Sequence, residues 1–397
     1  MSPLPHSSES TRSDKLKVAN EPFSAEQVMA SKKVPSHSEF LKLVESRLKP
    51  PFGIALGSPR EAAEIAEFLP AGDIACWQMD FFQADRLRQE LSAQGTRAEV
   101  TVLPDLWDLP AVQTLVYASP RGGERELKLD VLEQAFHALQ PGGTFVLLAP
   151  HDKDDFYQPV LKKIFGKVHV PMESNNSLFW CQRSGDRPQR RHEVTFQVRT
   201  DEGSLRFVSR PGTFSYGRFD NGARALVEAA QIDAGDRILD IGCGCGTNGI
   251  LASRRAGADA HIAFVDSNVR ALQLTEMNAK AAGLTDFRTY GSARVEGPEE
   301  RSFDVILANP PYYANASIAR LFMDRAKALL KPDGRFYMVS KQIDLIYGDL
   351  EQVFGHVEIM EHRGYLIFTN ADVASAPAST GEDEEPDDNF FEADDEE

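Results

Sequence analysis

The sequence predicts an α/β protein built from two tandem doubly wound domains, the first a degenerate copy of the second. Three observations lead there. Short apolar runs alternate with amphipathic stretches, which implies a mainly parallel sheet with helical crossovers and ligands at the carboxyl ends of its strands. Three segments recur in the same order ~190 residues apart, far longer than a solenoid repeat, which signals a duplicated domain. The length of 397 residues suits two domains of ~100–200 residues each.

Along the chain, residues 1–38 are rich in Ser, Pro and Lys and are expected to form a disordered head. They carry no apolar core of a secretory signal. The first domain is expected over 39–182. Within it, Val116-Tyr117-Ala118-Ser119-Pro120 is echoed later by Ile306-Leu307-Ala308-Asn309-Pro310. Leu139-Gln140-Pro141-Gly142-Gly143-Thr144-Phe145 is echoed by Leu330-Lys331-Pro332-Asp333-Gly334-Arg335-Phe336. Leu161-Lys162-Lys163-Ile164-Phe165-Gly166 is echoed by Leu350-Glu351-Gln352-Val353-Phe354-Gly355. The proline–glycine segment in each copy ends a helix, turns, and enters a β-rich run. An Arg-containing connector is expected over 183–199, and the second domain over 200–372. Its strands read as Arg237–Ile241, His261–Asp266, Phe303–Ala308, residues 335–339 and Tyr365–Thr369. Apolar spacings of three and four predict helices over 269–282 and 316–330.

Composition bounds the rest. Apolar residues make up 42% and charged residues 26%, ordinary for a soluble globular chain and unlike a fibre, a disordered chain or a disulfide-stapled miniprotein. No apolar run approaches the ~20 residues of a membrane span. Four scattered cysteines suit a reducing cytosol, so a cytoplasmic location and no membrane partner are expected. The net charge of −17 at first argues against nucleic acid. However, residues 381–397 hold eleven acidic residues and no basic one, leaving only −6 for the remainder. So dense an acidic run repels itself, and 373–397 is expected to be a disordered, solubilising tail.

Candidate chemistry lies in the second domain. Arg237-Ile-Leu-Asp240-Ile-Gly242-Cys-Gly244-Cys-Gly246 is a strand running into alternating glycines, a tight turn that lets a cofactor approach backbone N–H groups. The next strand ends at Asp266, where a carboxylate can accept hydrogen bonds from ribose hydroxyls. Rossmann dehydrogenases share this logic, but the Asp-x-Gly-x-Gly-x-Gly spacing tilts toward S-adenosylmethionine over NAD. Asp240 would then face the amino-acid end of the cofactor. Cys243 and Cys245 have no His or Cys pair nearby to complete a metal site; small residues filling a crowded loop account for them, and no metal is expected.

The third strand opens into Asn309-Pro310-Pro311-Tyr312. Paired prolines can simply end a strand. Following a glycine loop and a ribose-type acid, however, the tetrad resembles that of class I methyltransferases acting on planar exocyclic or amide nitrogens. Such a nitrogen is a poor nucleophile because its lone pair is delocalised. The Asn309 side-chain oxygen and the Pro310 carbonyl can each accept an amino hydrogen and aim that lone pair, in a loop stiffened by proline. Tyr312 can stack on a flat base. The first domain has Ser119-Pro120-Arg121-Gly122 at this position and Gly53-Ile-Ala-Leu-Gly57-Ser-Pro59 for its glycine loop. Gln78 falls near the place of Asp266, with Asp80 close by. Scaffold is kept; chemistry is lost.

Arg210-Pro-Gly-Thr-Phe214-Ser-Tyr-Gly-Arg218-Phe-Asp220-Asn-Gly222, the glycine loop with Asn309–Tyr312, and the paired architecture together resemble the bacterial ribosomal RNA guanine 2-amino methyltransferases of the RsmC/RlmG type. The resemblance implies two Rossmann-like methyltransferase domains, S-adenosylmethionine as cofactor, and methylation of a guanine in 16S or 23S ribosomal RNA by a monomer. It implies Asp240, Gly242, Gly244, Gly246, Asp266, Ser292 and Asn309 at the cofactor. Asn309, Pro310 and Tyr312 would be catalytic, with Phe214, Asp220, Tyr312, Arg210 and Arg218 at the substrate. Where relatives often place Asn or Asp against adenine, this chain has Ser292-Ala293, so Ser292 or backbone would read the base. Lys341 replaces a frequent Asn and has no assigned role. Two alternatives stay open: a glutamine methyltransferase of the release-factor type, and a catalytically dead RNA-binding assembly factor. RNA contact would come from Arg183, Arg187, Arg190, Arg191, Arg199, Arg206, Arg210 and Arg218, between the domains and beside the substrate entrance.

Overall fold

The computed structural model describes residues 36–150, 155–201, 203–311, 316–341 and 343–372. The expected head as far as residue 35, the acidic tail and Tyr312 lie outside the described residues. His37 and Ser38, expected in the head, instead open helix α1 (His37–Lys42).

The first sheet comprises β1 (Phe52–Ala55), β2 (Ile74–Gln78), β3 (Glu99–Val102), β4 (Val112–Ala118), β5 (Leu139–Leu148), β6 (Val168–His169) and β7 (Leu178–Gln182). A hairpin follows, β8 (Val194–Thr200) and β9 (Gly203–Ser209). The second sheet comprises β10 (Arg237–Ile241), β11 (His261–Asp266), β12 (Phe287–Gly291), β13 (Phe303–Ala308), β14 (Leu330–Ser340), β15 (Glu358–His362) and β16 (Tyr365–Thr369). The seven-stranded sheets have corresponding strand orders, β3-β2-β1-β4-β5-β7-β6 and β12-β11-β10-β13-β14-β16-β15. Each is mixed: β7 and β16 run against both neighbours.

The recurring proline–glycine segment has a structural cause in both sheets. β5 and β14 begin at Leu139 and Leu330, and their pairing with β4 and β13 shifts register at the turn. A Cβ at Gly143 would stand 2.9 Å from the Gln140 carbonyl oxygen, and one at Gly334 would stand 3.0 Å from that of Phe303. Only glycine passes there.

Helices cover both faces of the second sheet. Ile238, Phe264, Val305 and Leu307 pack with Leu226 of α6 (Asn221–Ala229), Ile250 of α7 (Thr247–Ala256) and Leu272 of α8 (Val269–Ala281). Leu239, Val265, Ile306 and Phe336 pack with Met323 of α9 (Ala316–Leu329) and Leu350 of α10 (Ile343–Phe354). Alternate strand residues thus feed opposite cores, as a doubly wound sheet requires.

The connector departs from expectation. Val194–Thr200 is a strand, so only residues 183–193 form an irregular link. Arg187 donates to the carbonyl of Ile164, at the end of α5 (Tyr157–Phe165), at 2.5 Å. Arg183 donates to the carbonyl of Leu139, just past α4 (Arg125–Ala138). Both cap helix ends whose carbonyls lack intrahelical partners. Asn278 ties the hairpin to the glycine loop: its Oδ1 accepts from Val208 N at 2.8 Å, and its Nδ2 donates to the Cys245 carbonyl at 2.8 Å.

Candidate active site

β10 ends at Ile241, and the chain turns through Gly242 (φ 71°), Gly244 (φ 57°) and Gly246 (φ 86°) into α7. These left-handed conformations favour glycine. A side chain at Gly242 would also meet the Phe322 ring, while nothing stands within 4 Å of a Cβ placed on Gly244. The loop is therefore backed by protein at one glycine and opens into space at the next. Burial pushes the Cys245 thiol up to about 12 and that of Cys243 well above its ordinary value. Both remain protonated, space-filling side chains.

Asp240 does more locally than its expected role. Gly246, at the N-cap of α7, has no side chain to cap the helix, and Asp240 Oδ2 accepts from Gly249 N at 2.9 Å instead. Burial pushes its carboxyl up to about 7. Because the folded chain then holds a proton that the unfolded chain releases near pH 4, stability falls as pH rises from about 4 to about 7. Asp240→Asn keeps the acceptor and removes the titration. Its melting temperature relative to wild type should rise across that window; a constant difference would contradict the assignment.

Asp266 closes β11 beside this loop. Its Oδ2 accepts from Gly244 N at 2.9 Å and its Oδ1 from Asn268 N at 2.8 Å. Each oxygen keeps a lone pair for a further donor. Burial pushes this carboxyl up to about 6, with backbone hydrogen bonds opposing the shift and Asp80 adding to it. Ser292 N donates to the Asp266 carbonyl at 3.0 Å. The Ser292 hydroxyl oxygen accepts from Arg294 N and Glu296 N at 3.1 and 3.0 Å. This oxygen thus braces a turn, while the O–H remains a donor.

Asn309 follows β13, and its backbone oxygen lies 4.0 Å from a Cβ built on Gly242. Its Nδ2 donates to Asp220 Oδ2 at 3.4 Å, while its Oδ1 is buried without a hydrogen-bond partner among the described residues. Asp220 caps α6 by accepting from Ala223 N at 2.8 Å, so it is rigidly placed to hold the amide. A buried carbonyl without a donor costs ~1–3 kcal/mol. Pro310 is buried behind it and Pro311 exposed.

The segment from Arg210 divides between two tasks. Arg218 is exposed and Phe214 is 50% exposed, so both can meet a substrate. Arg210 cannot: it is 0% exposed and its guanidinium pairs with Asp105 of the first half, with Nη1 at 3.1 Å from Oδ2. The intervening turn is clamped between the halves. Gly212 N donates to Glu124 at 2.9 Å, and the Gly212 carbonyl accepts from Asn268 Nδ2 at 2.7 Å. Lys341 is exposed, with its Nζ 4.5 Å from the centre of the Tyr365 ring.

The corresponding positions of the first half are closed. Ser58 and Glu61 form a reciprocal capping box ahead of α2 (Pro59–Phe68), with Pro59 at its first turn. That helix end offers few free N–H groups. Gln78 donates to the Leu56 carbonyl at 3.3 Å, and the Ser119 hydroxyl lies 2.5 Å from that of Tyr157.

Residues 204–369 match the methyltransferase small domain. Among known proteins the chain is similar to bacterial ribosomal RNA methyltransferases. It is 31% identical over 180 residues to ribosomal RNA small subunit methyltransferase C of Chromohalobacter salexigens, covering 43% of this chain and 53% of that protein. It is 27% identical over 208 residues to ribosomal RNA large subunit methyltransferase G of Pseudomonas entomophila, covering 50% and 54%. The chain thus spans about half the length of these two relatives. The solved T. thermophilus 16S rRNA N2 G1207 methyltransferase (RsmC), in complex with AdoMet and guanosine, is 23% identical. It superposes over 83% of this chain and 90% of that one with a TM-score of 0.65, a likeness of fold.

Proposed function

We propose that the protein is an S-adenosylmethionine-dependent methyltransferase acting on the exocyclic 2-amino group of a guanine in ribosomal RNA. The observation that carries this reading is the buried, unpartnered Asn309 Oδ1, held by Asp220 at the strand end beside the glycine loop. The residues fit the cofactor: open space beside Gly244, and free lone pairs on Asp266, whose ionised form favours a cationic ligand. Gly242, Gly244 and Gly246 would present backbone, Asp266 would accept from the ribose, and the segment at Ser292 would border the base. Bound there, S-adenosylmethionine supplies a methyl group activated by positively charged sulfur.

The chain's own work is alignment. Asn309 Oδ1 and the Pro310 carbonyl accept the two amino hydrogens, which fixes the nitrogen lone pair toward the methyl donor. Asp220 holds the Asn309 amide so that its oxygen, rather than its nitrogen, faces the substrate. Tyr312 stacks on the base, Phe214 borders it, and Arg218 meets the backbone. With Arg183, Arg187 and Arg210 engaged structurally, the exposed Arg190, Arg191, Arg199, Arg206 and Arg218 are the candidates for phosphate contact. A paired or stacked target guanine must be flipped out to reach this crevice. The corresponding strand orders and closed first-half site support a duplication with one copy retired from chemistry.

Three measurements test this reading. Asp266→Ala should weaken S-adenosylmethionine binding by at least about tenfold in a calorimetric titration; an unchanged dissociation constant would refute the ribose role. Wild-type affinity should rise from pH 5 to pH 8, as a carboxyl with its pKa near 6 ionises and becomes acceptor-only. Labelled methyl groups should enter ribosomal RNA or subunits, and label appearing instead in a release factor would favour the glutamine alternative.

A further inference from the structure

The retired half reaches the cofactor crevice. Its turn after β2 meets the turn after β11 in antiparallel fashion, with Asp80 bridged to Asn268. Phe81 N donates to the Ser267 carbonyl and Val269 N to the Met79 carbonyl, each at 2.9 Å. The Ser267 hydroxyl donates to Asp80 Oδ2. Asp80 and Asn268 are each the N-cap of the helix that follows, α3 (Phe81–Gln94) and α8, so equivalent turns of the two halves face one another. One of them carries Asp266.

The Phe81 ring lies against the end of β12. A Cβ at Gly291 would stand 2.4 Å from Phe81 Cε2 and 2.9 Å from its Cζ. Gly291 adopts no left-handed conformation that would call for glycine; the approach of this ring accounts for it. The next residue, Ser292, is bonded through its backbone to Asp266, and its hydroxyl oxygen is occupied by two backbone donors. On this side of the crevice, the second half supplies polar backbone at Ser292 and an aliphatic contact from Leu272, whose Cδ1 stands 3.4 Å from a Cβ built on Gly291. Phe81 is partly exposed and adds a flat apolar ring.

We propose that Phe81 of the first half forms the wall against which the adenine of the cofactor packs, with the Asp80–Ser267 link holding that wall to the Asp266 turn. The retired half thereby completes the cofactor site. This inference rests on the placement of S-adenosylmethionine given above.

The test is calorimetric titration of the full chain with S-adenosylhomocysteine and, separately, with adenosine. Phe81→Ala should weaken both by roughly tenfold, as expected for lost ring stacking on a base, because both contain the adenine. Phe81→Leu preserves apolar packing at Gly291 but removes the flat ring, and should also weaken both. Gly291→Ala, which displaces the ring without altering the first half, should do the same. Binding by a normally folded Phe81→Leu within twofold of wild type, while Asp266→Ala loses affinity, would overturn the wall and leave the cofactor placement standing. Wild-type affinity in Asp266→Ala would remove the placement and the wall with it.

Discussion

Asn309→Ala is expected to lower methyl transfer by about 10²-fold or more while leaving S-adenosylmethionine affinity within about twofold. The substitution removes the buried carbonyl without a protein partner and leaves the glycine loop and Asp266 intact. The amine then loses one of its two acceptors and samples orientations in which its lone pair does not face the methyl donor. Single-turnover rates with saturating RNA isolate this effect from binding. Asp220→Asn should reproduce part of the loss, because a neutral amide in place of the carboxylate no longer dictates which end of Asn309 faces the substrate. Full activity in Asn309→Ala would remove the amine-aligning role.

Arg270→Met is expected to destabilise the fold by ~3–5 kcal/mol, the usual cost of leaving buried charges unpaired. Arg270 and Arg210 are both 0% exposed, and Asp105 and Asp130 are 1% and 0% exposed. Arg270 Nη1 donates to Asp130 Oδ2 at 2.8 Å and to the Pro211 carbonyl at 2.6 Å; Nη2 reaches Asp105 at 3.3 Å. Gln134 bridges the two acids, and one oxygen of Asp130 already lacks a partner. The cluster welds the halves, so removal of one cation strands carboxylates in the junction. The loss should appear as a lower urea midpoint. Pairing Arg270→Met with Asp130→Leu should recover much of it, as coupled neighbours do in a double-mutant cycle. A midpoint unchanged in the single variant would show that the cluster is solvated.

Much of the second sheet was legible in sequence, because parallel strands buried on both faces read as short apolar runs bounded by turns. The expected bounds of β10, β11, β13 and β16 coincide with those found. β15 escaped because Glu358, Glu361 and His362 interrupt its apolar pattern. β8 read as connector because exposed residues, Arg199 among them, interrupt its apolar pattern. Short-range motifs placed the glycine loop, Asp266 and Asn309 on their correct strand ends. The sequence could not disclose long-range pairing. The positive charge of Arg210 suggested RNA, whereas its partner Asp105 lies 105 positions away. Asp80 and Ser267 are 187 positions apart, and only alignment of the internal repeat, which puts Gln78 opposite Asp266, pointed toward that turn.

Nucleoside mass spectrometry of ribosomal RNA tests the central claim most directly, comparing cells with and without the intact gene. One N2-methylguanosine should disappear on deletion and return with the wild-type chain, but not with Asn309→Ala. Ribosomal RNA with an unchanged set of methylated guanosines after deletion would contradict the account.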